Sequence, residues 1–219
     1  MPTDQTVRSL AMAAVCAACA LTTSWGHATG RAAAVPPTVS TTAAPGAIEL
    51  AQVRFAPQLS LHGSTLQLNG AGIRHKLMFK VYAAGLYLPK KAHTLDEINA
   101  QEGPKRIRLV PLRTIDAEEL SRLFLRSLEN NTEKATFYRL APSMLQISKV
   151  FTDIKKLQPG DELTMDWVPG TGTIVSHNGN VKSDSFTESM FFDALVGIWL
   201  GPRPADPTLK QALLGLPPD

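Results

Sequence analysis

The chain has 219 residues, of which 44% are hydrophobic and 19% charged, with 22 Lys+Arg against 19 Asp+Glu. This composition suits a folded globular unit; it excludes disorder along most of the length, a collagen-like or low-complexity fibre and, with two cysteines, a disulfide-dense scaffold. A formal charge of +3, with no basic run interleaved with aromatics, gives little attraction for nucleic acid, which is not an expected partner.

Residues Leu10 to Leu21 are apolar, small and uncharged, preceded by Arg8 and followed by the small-x-small step Gly26-His27-Ala28. The pattern predicts a secretory signal peptide over residues 1–28 and hence a periplasmic or secreted protein. The apolar run is shorter than the ~20 residues that cross a bilayer, so no transmembrane helix is expected in the mature protein. Two alternatives stay open: a buried N-terminal helix, and lipoprotein processing at Cys19, since Ala17-Ala18-Cys19 is similar to the end of a lipobox although Cys16 stands where Leu is preferred. Residues 29–47 are Ala, Pro, Thr and Gly with almost no large apolar side chain, which predicts a linker before a single domain over residues 48–219.

Within that domain Val53–Phe55 and Thr65–Leu68 read as short strands. Lys76–Leu88 reads as a long one, with Leu77, Phe79, Val81 and Ala83 on one face. Thr94-Leu95-Asp96-Glu97 is a capping box opening a short helix that Gly103-Pro104 closes. Arg106–Arg113 alternates Ile107 and Leu109 with Arg106 and Arg108, a half-exposed strand. Asp116 caps an amphipathic helix with the stripe Leu120, Leu123, Phe124, Leu128. The helical stretch Glu133–Leu157 should restart at Pro142. Pro159-Gly160-Asp161 is a turn, Leu163, Met165 and Trp167 alternate along a strand, and Thr173–His177 leads into the hairpin signal Asn178-Gly179. Ser185-Phe186-Thr187-Glu188 reads as a capping box before an apolar helix ending at Gly201-Pro202, and Asp206-Pro207 starts a last short helix. The order predicts an α+β fold: an antiparallel sheet covered by helices.

The usual catalytic signatures are missing. The histidines His27, His62, His75, His93 and His177 show neither i,i+4 spacing nor His-x-His, so no metal site is expected, and no cofactor motif is complete. Gly70-Ala71-Gly72 and Gly170-Thr171-Gly172 read as turns or bulges rather than phosphate loops, and no Gly-x-Ser-x-Gly elbow occurs.

The segments Leu68-Asn69-Gly70-Ala71-Gly72-Ile73-Arg74 and Lys80–Leu88, then Val110-Pro111-Leu112, Leu157–Asp161 and Phe191–Gly201, fall in an order that resembles the chalcone isomerase family in its bacterial exported branch, over Leu66–Leu214. The resemblance implies an open-faced β-sandwich, a large antiparallel sheet with helices on one face and a ligand cleft between. In the plant-type enzymes a phenolate oxygen adds to an enone, one Arg holds the phenolate and polar groups serve the enolate. Arg74 matches that Arg, while the other plant-type polar positions fall at Tyr82, Ala117, Phe124 and Ala194. Three of these offer no side-chain hydrogen bond, so the catalytic residues are unknown. Fatty-acid-binding members hold the carboxylate with an Arg and a Tyr in the places of Arg74 and Tyr82. The favoured expectation is thus a non-catalytic binder of a fatty acid or small apolar carboxylate, with an isomerase (intramolecular lyase) and a structural or protein-interaction role as alternatives. Eight residues of straight strand would hold Arg74 and Tyr82 ~26 Å apart. A shared ligand therefore requires a turn or bulge near Gly72 or His75-Lys76. Otherwise Arg74 is a surface ion-pair partner and Tyr82 a cross-strand aromatic.

Overall fold

The computed structural model describes residues 46–217. The expected signal peptide, most of the expected linker and both cysteines lie outside the described residues. The elements, in chain order, are β1 (Ile48–Leu50), β2 (Val53–Phe55), β3 (Gln58–Leu61), β4 (Ser64–Lys76), β5 (Phe79–Leu88), α1 (Leu95–Ala100), β6 (Lys105–Pro111), β7 (Ile115–Asp116), α2 (Ala117–Asn131), α3 (Lys134–Arg139), α4 (Ala141–Ile154), β8 (Lys156–Leu157), β9 (Leu163–Val168), β10 (Gly172–His177), β11 (Asn180–Val181), α5 (Ser189–Leu200) and α6 (Pro207–Leu213).

A seven-stranded antiparallel sheet runs β11-β10-β9-β6-β5-β4-β3, with the pairs β1-β2 and β7-β8 beside it. The period of two along β5 sorts its side chains. Tyr82, Ala84, Leu86 and Leu88 join the main core with Leu128, Phe151, Phe192 and Trp199 from the helices, while Ala83 and Tyr87 join a second, smaller core with Phe55 and Leu66. Helices therefore cover one face, as expected, and the β1-β2 hairpin covers part of the other. A Cβ at Gly85 would lie 2.5 Å from the Phe55 ring, so that cover depends on a glycine. Beyond it the second face is polar: Arg106 makes two 2.6 Å bonds to the Asp166 carboxylate, and Arg108 pairs with Glu162 at 2.5 Å.

Most helix boundaries follow local chemistry. The Thr94 hydroxyl accepts from Glu97 N at 3.2 Å, while the Glu97 carboxylate accepts from His93 N rather than from the cap residue itself. Asp116 accepts from Glu118 N and Glu119 N, and Pro142 sits in the first turn of α4. The stretch 133–157 is two helices and a short strand, because the chain breaks at Leu140 before Pro142 and Leu157 pairs with Ile115. The capping box at Ser185 does not form: Phe186 bridges to Thr173 instead, and α5 starts at Ser189.

The strand expected over Lys76–Leu88 is a hairpin. Leu77 and Met78 form its two-residue turn, and β5 begins at Phe79. The face expected for Leu77, Phe79, Val81 and Ala83 consequently does not form: Leu77 and Phe79 are 90% and 56% exposed, Val81 packs in the main core and Ala83 in the second. The strand expected over Thr65–Leu68 continues to Lys76, so Gly70-Ala71-Gly72 is strand interior, with a register shift at Asn69. Both glycines answer to helix α6. A Cβ at Gly70 would lie 2.0 Å from Ala212 O, and one at Gly72 2.7 Å from the Ala212 side chain. Asn69, bulged out of register, donates to Ala92 O and Leu213 O and accepts from Ala92 N, which holds the end of α6 against the sheet.

Candidate ligand-binding site

The hairpin turn brings Arg74 and Tyr82 together. They are direct cross-strand partners on β4 and β5, with a register shift just after Arg74. Directly opposed residues share one face of a sheet, here the helix-covered face, and the Arg74 guanidinium carbon lies 5.5 Å from the Tyr82 ring centroid. The turn is at Leu77-Met78 and the irregularity at Arg74/His75; Gly72 takes no part in it.

Helices α5, α6 and α2 and the β6-β7 connection converge on this pair. From α5, Trp199 donates its indole N–H to the Tyr82 hydroxyl at 2.8 Å. From the start of α6, Asp206 accepts from Leu209 N with one oxygen and from His75 N with the other, which ties the helix cap to the strand beside Arg74. That position exists because Gly70 and Gly72 let α6 approach the sheet closely. From α2 and the β6-β7 connection come Arg113, Ile115, Glu119, Leu120 and Leu123, which with Arg74, Lys76, Val81 and Tyr82 are among the residues around a small cleft of about 80 Å³ that opens to solvent.

The electrostatics of the cleft are one-sided. Lys76 and Arg113 stand at the mouth with Arg74 deeper, and Glu119, 3.7 Å from Lys76, is the one acidic residue in the lining. Arg74 makes no ion pair among the described residues, and its Nε–H is buried without an acceptor. Burial pushes the Tyr82 hydroxyl above its ordinary range, against the opposing pull of Arg74 and the Trp199 bond, so the phenol keeps its proton. Trp199 already donates to the phenol oxygen. The Tyr82 O–H is thus available to donate toward Arg74's side of the cleft.

Ala117, Phe124 and Ala194 are buried in the apolar core and do not line the cleft; Phe124 packs edge-on against Phe151 at 5.5 Å. Among the described residues no cluster of three metal-ligating side chains occurs. Sequence reasoning located Arg74 and Tyr82 but not Trp199, Asp206, Lys76 or Arg113 as their neighbours. Trp199 and Asp206 stand 117 and 124 residues from Tyr82, and nothing local to them signals the contact.

A sequence profile described as chalcone isomerase-like matches residues 47–215. The chain belongs to the chalcone isomerase-like family. Among solved structures, a fatty-acid binding protein from Arabidopsis thaliana superposes with a TM-score of 0.60 at 17% sequence identity, covering 77% of this chain and 95% of that one. At that identity the likeness establishes a shared fold, the curled antiparallel sheet and helices of the chalcone isomerase-like family. No curated protein matches the sequence.

Proposed function

We propose that this chalcone isomerase-like protein binds a fatty acid or another small apolar carboxylate without converting it, with Arg74 and Tyr82 holding the head group. The observation that carries the reading is the pair of unused donors: a buried Arg74 Nε–H with no acceptor, and beside it a Tyr82 O–H whose oxygen Trp199 already occupies. A buried guanidinium N–H left unpaired costs roughly 1–3 kcal/mol, and a two-oxygen anion relieves that cost while accepting a second hydrogen bond from the Tyr82 O–H. Lys76 and Arg113 draw an anion to the mouth, and Val81, Ile115, Leu120 and Leu123 offer an apolar wall to its chain. The neighbouring fold from Arabidopsis thaliana, a fatty-acid binding protein, supports the same ligand class.

The isomerase reading is less well supported. Ala117, Phe124 and Ala194 stand where the plant-type enzymes, by resemblance, place polar groups for the enolate, and none of them can stabilise developing charge. Native mass spectrometry of the purified protein tests the binder reading. A carboxylate of fatty-acid mass released from the complex supports it. Ligand-free protein that also fails to take up added dodecanoate contradicts it.

We also propose that the protein is exported, on the strength of the apolar run Leu10–Leu21 and the step Gly26-His27-Ala28. An intact mass beginning near Thr29 supports this. Retained Cys16, or a diacylated Cys19, contradicts processing at that step. Among the described residues no helix is long and apolar enough to cross a membrane.

A further inference from the structure

We propose that the β4-β5 hairpin tip, Leu77-Met78-Phe79, is a docking surface for an anionic lipid bilayer. Its side chains are 90%, 84% and 56% exposed and consecutive, whereas the other large exposed apolar residues among the described residues, Tyr138, Leu145 and Val181, are isolated along the chain. The turn itself is unusual. Leu77 holds φ 56° at the first central position of a two-residue hairpin loop, where glycine is favoured because a Cβ is strained there. The sequence thus places a branched apolar side chain in a conformation that resists it, with nothing among the described residues to cover it.

The charge around the tip selects the occupant. Lys76 and Lys80 flank the three apolar residues in sequence, and the Arg113 guanidinium carbon lies 6.0 Å from the Phe79 ring centroid. Glu119 offsets one of these cations through Lys76. An apolar wedge ringed by basic residues is complementary to a bilayer with anionic headgroups: the wedge enters the acyl boundary while the cations stay at phosphate level. A narrow convex tip with three side chains is also too small to bury the area that a stable protein interface needs. Lys76 and Arg113 line the mouth of the cleft, so docking by the tip turns that mouth toward the lipid. The docking surface goes beyond the carboxylate site and does not depend on it.

Sedimentation with vesicles free of fatty acid tests the tip separately from the cleft. The protein should bind phosphatidylcholine vesicles carrying about 30% phosphatidylglycerol more strongly than pure phosphatidylcholine, with binding weakened by added salt. The double variant Leu77→Gly, Met78→Ser should lose at least about tenfold in partitioning, the worth of one leucine-sized side chain transferred from water, while its melting temperature holds or rises because glycine relaxes the turn. Equal partitioning of the variant, equal binding to both vesicle types, or no binding by the natural sequence would overturn the proposal. Lipid-independent dimerisation abolished by the same variant, without vesicle binding, would also overturn it and assign the tip to a second copy of the chain.

Discussion

Trp199 on α5 donates its indole N–H to the hydroxyl of Tyr82 on β5 at 2.8 Å, a bond made between buried side chains across 117 residues of chain. The bond belongs both to the fold and to the cleft. It anchors the apolar helix to the sheet, and it leaves the Tyr82 O–H to donate on Arg74's side of the cleft.

This relationship separates two residues that the sequence alone treats alike. Tyr82→Phe strands the buried Trp199 N–H and is expected to cost about 1–3 kcal/mol in denaturant unfolding. Arg74→Ala removes a buried Nε–H that has no acceptor, together with the guanidinium's contact with the Tyr82 ring, and should cost less stability than Tyr82→Phe. Equal stability of the two variants would mean that the Trp199 bond contributes nothing.

Gly70→Ala places a Cβ 2.0 Å from Ala212 O, so α6 has to move. Destabilisation of about 1–3 kcal/mol or more is expected, as for overpacking of a close-packed interior. Because Asp206 rides on α6, the variant should also weaken ligand binding. A control at Gly197, which has no positive φ and where an added Cβ meets Asn131 at an ordinary 3.8 Å, should leave stability unchanged or raise it.

Acid should act through Asp161. Burial raises its carboxyl somewhat, but the bonds from Asn178 Nδ2 and Gln158 N, with His177 at 3.3 Å, outweigh burial and hold it below the ordinary carboxylate range. A depressed folded value stabilises the protein above the unfolded value near pH 4, and that contribution is lost as pH falls through the folded one. Asp161→Asn should therefore lower the melting temperature at pH 7 and make progressively less difference in acid. A difference independent of pH would show that the charge is not what matters.

The fold was legible where chemistry is local. Asp116, Thr94 and Pro142 mark helix starts through their own side chains, Asn178-Gly179 closes the β10-β11 hairpin with φ of 51° and 75°, and the alternation of Arg106 and Arg108 with Ile107 and Leu109 marks β6 as two-faced. It was illegible where distant packing decided. Leu77-Met78 carries no turn residue, so an apolar run that period two continues through is in fact folded back on itself. Gly70 and Gly72 resemble turn glycines but serve the approach of a helix some 140 residues later. The candidate pair Arg74 and Tyr82 came from family resemblance. What sets their chemistry, the Trp199 bond and the capping Asp206, is fixed by the tertiary arrangement of α5 and α6.

The central claim, that Arg74 and Tyr82 hold a carboxylate, is tested most directly by calorimetric titration of dodecanoate into the natural protein and into Arg74→Ala, with Lys134→Ala on α3 as a control away from the cleft. Charge-assisted hydrogen bonds to a desolvated carboxylate predict an affinity ~10–100-fold weaker in Arg74→Ala, with the fold intact and the control unchanged. An Arg74→Ala variant that is folded and binds dodecanoate as tightly as the natural protein would contradict the claim.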